Sequence, residues 1–363
     1  MSQRTGVAGL AVSLVVLALT LLVATGAGPS LPGPSVRSWL GLGDPELPEP
    51  CRFDPAKILR PPGRPPAGSW RREPSSPSSG PELGAGRVGR YVYLVGGQTP
   101  LGAERTILRF DPHGGEYRRV ARLPVALDHP AVAVHGDEVI VAGGYIDGAE
   151  ATNRVWSFTP RTGELKELPP MRLRRGAAAA AAVGDRLYVA GGVLEFGNEE
   201  EPRRSLEIYD FDDRSWTDGP DMPTPRHHFG AVALGGKLYF AGGRRPSDLS
   251  LAAFEEFDPV SGRWRRLPPL RAGVGSPGVV AGAGKVFVVG GGEDHLRDHG
   301  GDWVLRAAYA YDPSSSRWTR LPDMRRPRHG LAVAVAGGRL YAFRGIPCPG
   351  YGRMASAESL NLN

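Results

Sequence analysis

The chain has 363 residues, with 44 Lys and Arg against 38 Asp and Glu, for a formal charge of +6. The cations are almost all arginine, Lys57, Lys166, Lys237 and Lys285 being the lysines. No block of like charge, stacked aromatic platform or nucleic-acid motif accompanies them, so nucleic acid is excluded as a partner.

Residues 6–27 form an uncharged, mostly apolar stretch behind Arg4, and about 20 such residues can span a bilayer as a helix. Export is therefore expected. Thr25-Gly26-Ala27 offers small residues for cleavage, but the run exceeds the roughly 7–15 residues of a removed signal. A retained signal-anchor is the first expectation, with the remainder of the chain on the extracytoplasmic side; a secreted or periplasmic product after signal cleavage is the alternative. Residues 28–67 are dominated by Pro and Gly without a periodic apolar face, as in an extended tether.

From there to the C-terminus one pattern recurs. Aligned on a paired glycine, the windows 76–97, 123–144, 171–192, 222–243, 270–291 and 324–345 superpose without a gap. Each contains two alternating apolar runs joined at a turn, at Gly89-Arg90, Gly136-Asp137, Gly184-Asp185, Gly235-Gly236, Ala283-Gly284 and Gly337-Gly338. That pattern predicts two short strands and a tight turn. The second run ends in the glycine pair, except that the sixth copy has Arg344 before Gly345. A third strand is predicted to end at Phe110-Asp111, Phe158-Thr159, Tyr209-Asp210, Phe257-Asp258 and Tyr311-Asp312. A fourth carries Tyr117, Leu165, Trp216, Trp264 or Trp318, six places before the next window. Four antiparallel strands per repeat make a propeller blade.

The sixth copy stops at Leu360-Asn361-Leu362-Asn363 with no fourth strand of its own. Upstream, Gly68-Ser69-Trp70-Arg71-Arg72 echoes Gly262-Arg263-Trp264-Arg265-Arg266, and Trp70 also lies six residues before a window. The segment 68–74 is therefore expected to be the outermost strand of the last blade, closing a ring that would otherwise leave two sheet edges unpaired.

The paired glycine, the aromatic-Asp pair and the spaced Trp together resemble the kelch repeat over residues 68–363. The expected fold is all-β: a six-bladed kelch-type β-propeller closed by an N-terminal strand.

Cys51 and Cys348 are the only cysteines. They fall in the tether and in the second loop of blade six, and an oxidising compartment favours a bond between them. Seventeen residues separate Cys51 from residue 68, enough at about 3.3 Å per extended residue to cross a blade edge. Two unrelated thiols are the alternative.

In such blades the loop from strand four to the next strand one, and the loop from strand two to strand three, share a face. Residues four to six places into each window line the inner wall there. They include His129, Arg175, Arg226, His227, His228, Arg328 and His329, to which Arg344 is added from the second loops. The expectation is a cationic mouth with titratable character, suited to an anionic or polyhydroxylated ligand. The alternative for the arginines just before strand one is a bracing role between blades. Glu293, Asp294, His295 and His299 read as an acidic loop rather than a metal site, and neither a metal nor a cofactor is expected.

Two functions follow. The first is a non-catalytic monomeric module binding a protein, peptide or glycan through the loop face. The second rests on similarity in layout to exported six-bladed kelch mutarotases acting on sialic acid. That resemblance implies an acid or base such as Glu195 or Glu293 beside Arg175, Arg226 or Arg328, without a residue-by-residue match to the family's catalytic groups.

Overall fold

In the computed structural model the described residues are 68–147, 150–194, 202–245, 249–293, 303–348 and 352–362. The expected membrane segment, the tether and Cys51 lie outside them. Among the described residues no helix is long and apolar enough to cross a membrane.

Each window opens with the predicted hairpin. The six are Gly84–Val88 with Tyr91–Val95, Ala131–His135 with Glu138–Ala142, Ala179–Val183 with Arg186–Ala190, Gly230–Leu234 with Lys237–Ala241, Gly278–Gly282 with Lys285–Val289, and Ala332–Ala336 with Arg339–Phe343. The turns need left-handed backbone, which glycine supplies without strain; the fifth places Ala283 at φ 47° instead. Third strands join the outer side of each hairpin at Gly102–Asp111, Val155–Thr159, Leu206–Asp210, Phe254–Asp258, Ala308–Asp312 and Ala357–Asn361. The second strands are almost wholly buried, as in Val92 to Val95 and Leu238 to Ala241, because sheets cover them on both faces.

Fourth strands complete the second to fifth repeats at Glu164–Leu168, Ser215–Gly219, Arg263–Arg266 and Arg317–Arg320. The first repeat departs from the expectation. Its strand Glu116–Asp128 runs on into the second window and pairs with Tyr145–Ile146, so that among the described residues this sheet has seven strands where the sheets built on the other five hairpins have four. The cause is a short second loop: Gln98–Thr99 turns directly into Gly102–Asp111, leaving a long ribbon with two register shifts. Leu123 and Leu127 on the extension are fully buried.

In the sixth repeat Ala357–Asn361 pairs with Arg71–Glu73, Arg71 opposite Ser359 and Glu73 opposite Ala357. Trp70 is buried with Phe287, Val289, Leu331, Val333 and Leu360. The innermost strands pack side by side in chain order, and that of the sixth repeat also lies against that of the first. This arrangement of radiating sheets is a β-propeller.

Two sets of hydrogen bonds tie successive repeats together. In the outer set the indole N–H of Trp216, Trp264 and Trp318 donates to the carbonyls of Pro169, Pro220 and Pro268 at the end of the preceding repeat, at 2.8, 2.8 and 2.9 Å. Trp70 makes the same bond to Pro322 at 2.8 Å, and the Tyr117 hydroxyl donates to the carbonyl of Pro74 at 3.1 Å. In the inner set the second residue of each glycine pair donates its N–H to the carbonyl of the residue four places into the next window. The bonds are Gly97 to Leu127 (2.9 Å), Gly144 to Arg175 (2.8 Å), Gly192 to Arg226 (3.0 Å), Gly243 to Val274 (2.7 Å), Gly291 to Arg328 (2.8 Å) and Gly345 to Gly80 (3.3 Å).

Trp70 is the test of the N-terminal strand. Trp70→Ala is expected to cost about 3–5 kcal/mol, as for a fully buried tryptophan, in urea unfolding of the full chain. Trp264→Ala, at a half-buried position, is expected to cost less. A loss at Trp70 no larger than that at Trp264 contradicts its packing between the fifth and sixth sheets.

Candidate functional site

The residue six places into each window has left-handed backbone in every repeat: Glu82 (φ 58°), His129 (50°), Ala177 (50°), His228 (54°), Ser276 (49°) and Gly330 (60°). Five of the six are not glycine, and such a conformation costs on the order of 1 kcal/mol each unless neighbours enforce it. Here the enforcing contacts are backbone hydrogen bonds from one repeat to the one before. Glu82 N–H donates to Gly330 O (2.7 Å), His129 to Glu82 (3.1 Å), His228 to Ala177 (2.9 Å), Ser276 to His228 (2.7 Å) and Gly330 to Ser276 (3.0 Å). These residues and those that follow them, from Glu82 and Leu83 to Gly330 and Leu331, line a cavity of about 100 Å³.

The loop before strand one and the loop after strand two do share this face. Gly176 bridges Val193, His227 bridges Arg244, Gly275 bridges Gly292, His329 bridges Ile346, and Asp128 pairs with Tyr145.

Three large polar side chains converge in the cavity because Ala177, Ser276 and Gly330 between them are small. Glu82 Oε2 lies 3.5 Å from His129 Nε2, and His129 Nδ1 lies 2.6 Å from Asp128 Oδ1. Asp128 Oδ2 accepts from Gln98 Nε2 at 2.5 Å. The rings of His129 and His228 meet edge-on with centroids 4.7 Å apart, and His228 Nδ1 lies 2.5 Å from His227 Nδ1. Burial raises the Glu82 carboxyl above its usual range, offset in part by His129. Burial, then the nearby His129 and His227, holds His228 well below the ordinary histidine value, and burial with Arg244 pushes His329 down to about 3. Those two imidazoles are neutral at neutral pH and offer lone pairs rather than positive charge, so the cationic character expected of the mouth does not come from them.

The arginines lie beneath this face. Arg175, Arg226 and Arg328 are fully buried. Arg226 Nη1 donates to the carbonyls of Gly242 (3.0 Å) and Ala253 (3.2 Å), while Nη2 meets Glu255 Oε2 at 2.7 Å. Arg175 meets Gly191, Ser205 and Glu207 in the same way, and Arg328 meets Arg344, Ser356 and Glu358. Each glutamate has further donors: Glu207 accepts from the backbone N–H of Arg172 and Leu173, Glu358 from Arg325 and Arg326, and Glu255 from the Thr224 hydroxyl. Burial lowers Arg226 to about 10, with Glu255 pulling the other way, so the guanidinium keeps its charge at neutral pH. Arg344, at φ 57° and almost fully buried, reaches from the sixth repeat to Glu104 (3.0 Å) and the Gln98 carbonyl (3.4 Å) of the first.

Of the residues picked from sequence, the structure gathers His129, His227 and His228 at the mouth. It sets Arg175, Arg226, Arg328 and Arg344 in bracing positions with their guanidiniums between backbone carbonyls and glutamates. Glu195, Asp294, His295 and His299 lie outside the described residues, and only the backbone of Glu293 is described. Sequence reasoning missed Glu82, which the repeat register places level with His129 and His228. It also missed Glu207, Glu255 and Glu358, each three residues before the Asp or Asn that closes its third strand.

A buried ion pair broken on one side leaves an uncompensated charge. Arg226→Leu and Glu255→Leu are each expected to cost about 3–5 kcal/mol, whereas the double variant, which imitates the apolar Leu127 and Trp156 of the second repeat, costs less than their sum by about 2 kcal/mol. Additive losses in urea unfolding would count against the pair acting as a unit.

The KLHDC2/KLHL20/DRC7 Kelch-repeats domain matches residues 83–271 and 128–345, more than half of the chain. Among curated relatives, the chain is 30% identical over 158 residues to Kelch-like protein 25 of Xenopus tropicalis and 33% identical over 144 residues to Kelch-like protein 34 of Homo sapiens. It is 27% identical over 151 residues to Beta-scruin of Limulus polyphemus. These matches cover 41%, 39% and 42% of this chain but only 26%, 22% and 16% of the relatives. Among solved structures, YjhT aligns with a TM-score of 0.67 at 15% identity, over 78% of this chain and 95% of that one, which speaks for the fold alone. The repeat, its register and these matches together make the chain a member of the kelch-repeat β-propeller family.

Proposed function

We propose that this chain is a six-bladed kelch propeller, sealed by the Arg71–Glu73 strand, that binds a protein, peptide or glycan through the face carrying the second loops. The reading includes a membrane anchor at residues 6–27, an extracytoplasmic propeller and a Cys51–Cys348 bond, to which the buried setting of Cys348 lends support.

The observation that carries the binding role is where apolar surface is left exposed. Among the described residues the exposed large hydrophobics are Leu101 (98%), Leu194 (48%) and Val260 (96%). Leu101 and Leu194 sit in the second loops of the first and third repeats, on the mouth face, whereas Val260 lies in a turn between strands three and four. Exposed leucines on loops raised from a rigid scaffold suit a partner contact. The loop carrying Leu101 is stiffened by the pairing of Gln98–Thr99 with the start of Gly102–Asp111, and the second loops of the fourth and fifth repeats likewise pair Arg244–Arg245 with Leu249–Ser250 and Gly292–Glu293 with Trp303–Val304. The buried arginines, held by carbonyls and glutamates, are better placed to keep this face in shape than to hold a ligand.

Leu101→Asp with Leu194→Asp is expected to abolish crosslinking of the full chain to proteins of its native membrane fraction while leaving the melting temperature unchanged, and Val260→Asp is expected to alter neither the crosslinking nor the melting temperature. Equal crosslinking by both variants would sink the face assignment. Anomeric proton exchange on sialic acid faster than in buffer would move the chain to the mutarotase reading. For the bond, alkylation of the denatured chain before reduction should label neither Cys51 nor Cys348, and labelling of both removes that part of the proposal.

A further inference from the structure

The cavity at the mouth brings together donor atoms that no binding role requires. One ligand atom each from Glu82, His129 and His228 lies within 4.8 Å of the other two. The three residues come from the first, second and fourth repeats and hold the same place in each window, so no local sequence motif announces them.

From this geometry we infer that Glu82, His129 and His228 form a binding site for one divalent transition-metal ion of the zinc type. Two imidazoles and a carboxylate are a common ligand set for such ions, with metal to donor distances of about 2.0–2.2 Å and a fourth position left for water or a ligand. Tetrahedral donors at that range sit roughly 3.3 Å apart. Glu82 Oε2 and His129 Nε2 are already 3.5 Å apart, and small side-chain rotations bring His228 in.

The surroundings are those of a supported site. A ligating histidine usually turns its second nitrogen to a carboxylate, which fixes ring and tautomer. His129 turns Nδ1 to Asp128 at 2.6 Å, and Asp128 is itself held by Gln98. The backbone under all three ligands is clamped by the ring of left-handed residues, with Glu82 bonded to Gly330, His129 to Glu82 and His228 to Ala177. Small neighbours leave the room: a Cβ at Gly330 would collide with the Glu82 carboxylate. The cavity of about 100 Å³ accommodates an ion and a water or two at roughly 30 Å³ per water.

The test uses the full chain, without an affinity tag and freed of metal by chelation. Zn2+ titrated by calorimetry should bind at one equivalent and raise the melting temperature. Co2+ should give the intense visible bands of a four-coordinate site. Asp128→Asn should weaken binding about 10–100-fold, and His129→Asn, His228→Asn and Glu82→Gln by more, with metal-free circular dichroism and melting reporting whether each variant folds. Should a histidine variant not fold, Glu82→Gln, nearly unchanged in shape, carries the test. The proposal fails if the wild-type chain binds no Zn2+ at micromolar concentration. It also fails if one-equivalent binding survives in Glu82→Gln and in the folded histidine variants, which would place the ion elsewhere, as on His295 and His299, and leave the mouth a hydrogen-bonded cluster only.

Discussion

One backbone contact governs the geometry of this chain: the N–H that leaves the second residue of each glycine pair for a carbonyl of the next repeat. The donor sits at φ values between 87° and 110°, which side chains rarely adopt. A Cβ there would approach the carbonyl of the residue five places into the window to within 2.7 to 3.0 Å in all six copies. The glycine therefore serves two contacts at once, the bond to the next repeat and the close pass of its own opening loop. Because the bond joins backbone to backbone, it leaves the side chains around it free to differ. The first residue of the pair is constrained from outside instead. Its Cβ would strike the carbonyl four places into the next window, and a side chain, Arg344, occupies that place only where the next window offers Gly80.

Beneath the stitch, the repeats solve one packing problem in two ways. In the third, fourth and sixth copies the place four residues into the window holds Arg175, Arg226 or Arg328, and the third strand answers with Glu207, Glu255 or Glu358. In the second copy the same two places hold Leu127 and Trp156, both buried. Arginine and glutamate occur together or not at all, as expected if a lone buried charge is far costlier than either a complete ion pair or an apolar filling. Three buried pairs add directionality more than net stability, since each guanidinium fixes the spacing of two carbonyls at the rim.

The strand pattern was legible in the sequence because it is periodic, and repetition in six registers removes the ambiguity that one short apolar run carries. The ribbon at Glu116–Asp128 was not, because nothing in its residues says that the shortness of the preceding loop will let it run on. The arginines were legible as a set but not in their role. Residues 175, 226 and 328 sit at the right height for a ligand, and only the third strand shows what meets them. Had the glutamates at 207, 255 and 358 been set against the arginines repeat by repeat, the matched occurrence would have disclosed the bracing. Glu82 escaped for a different reason, since its window lacks the arginine and histidine that drew notice to the others.

The mouth shows why its chemistry escapes a reading of one repeat at a time. Backbone bonds from repeat to repeat fix residues 82, 129, 228, 276 and 330 in the left-handed region, so conformational strain there is a property of the propeller and not a sign of what each side chain does. Ala177 and Ser276 have it as much as His129. What distinguishes the places is size and polarity, and these act across repeats: Ala177 lets His129 and His228 meet, and Gly330 makes room for Glu82. A scaffold that holds backbone positions by backbone bonds can therefore acquire or lose a polar cluster by substitutions at three or four equivalent places, without altering a strand, a turn or a contact between sheets.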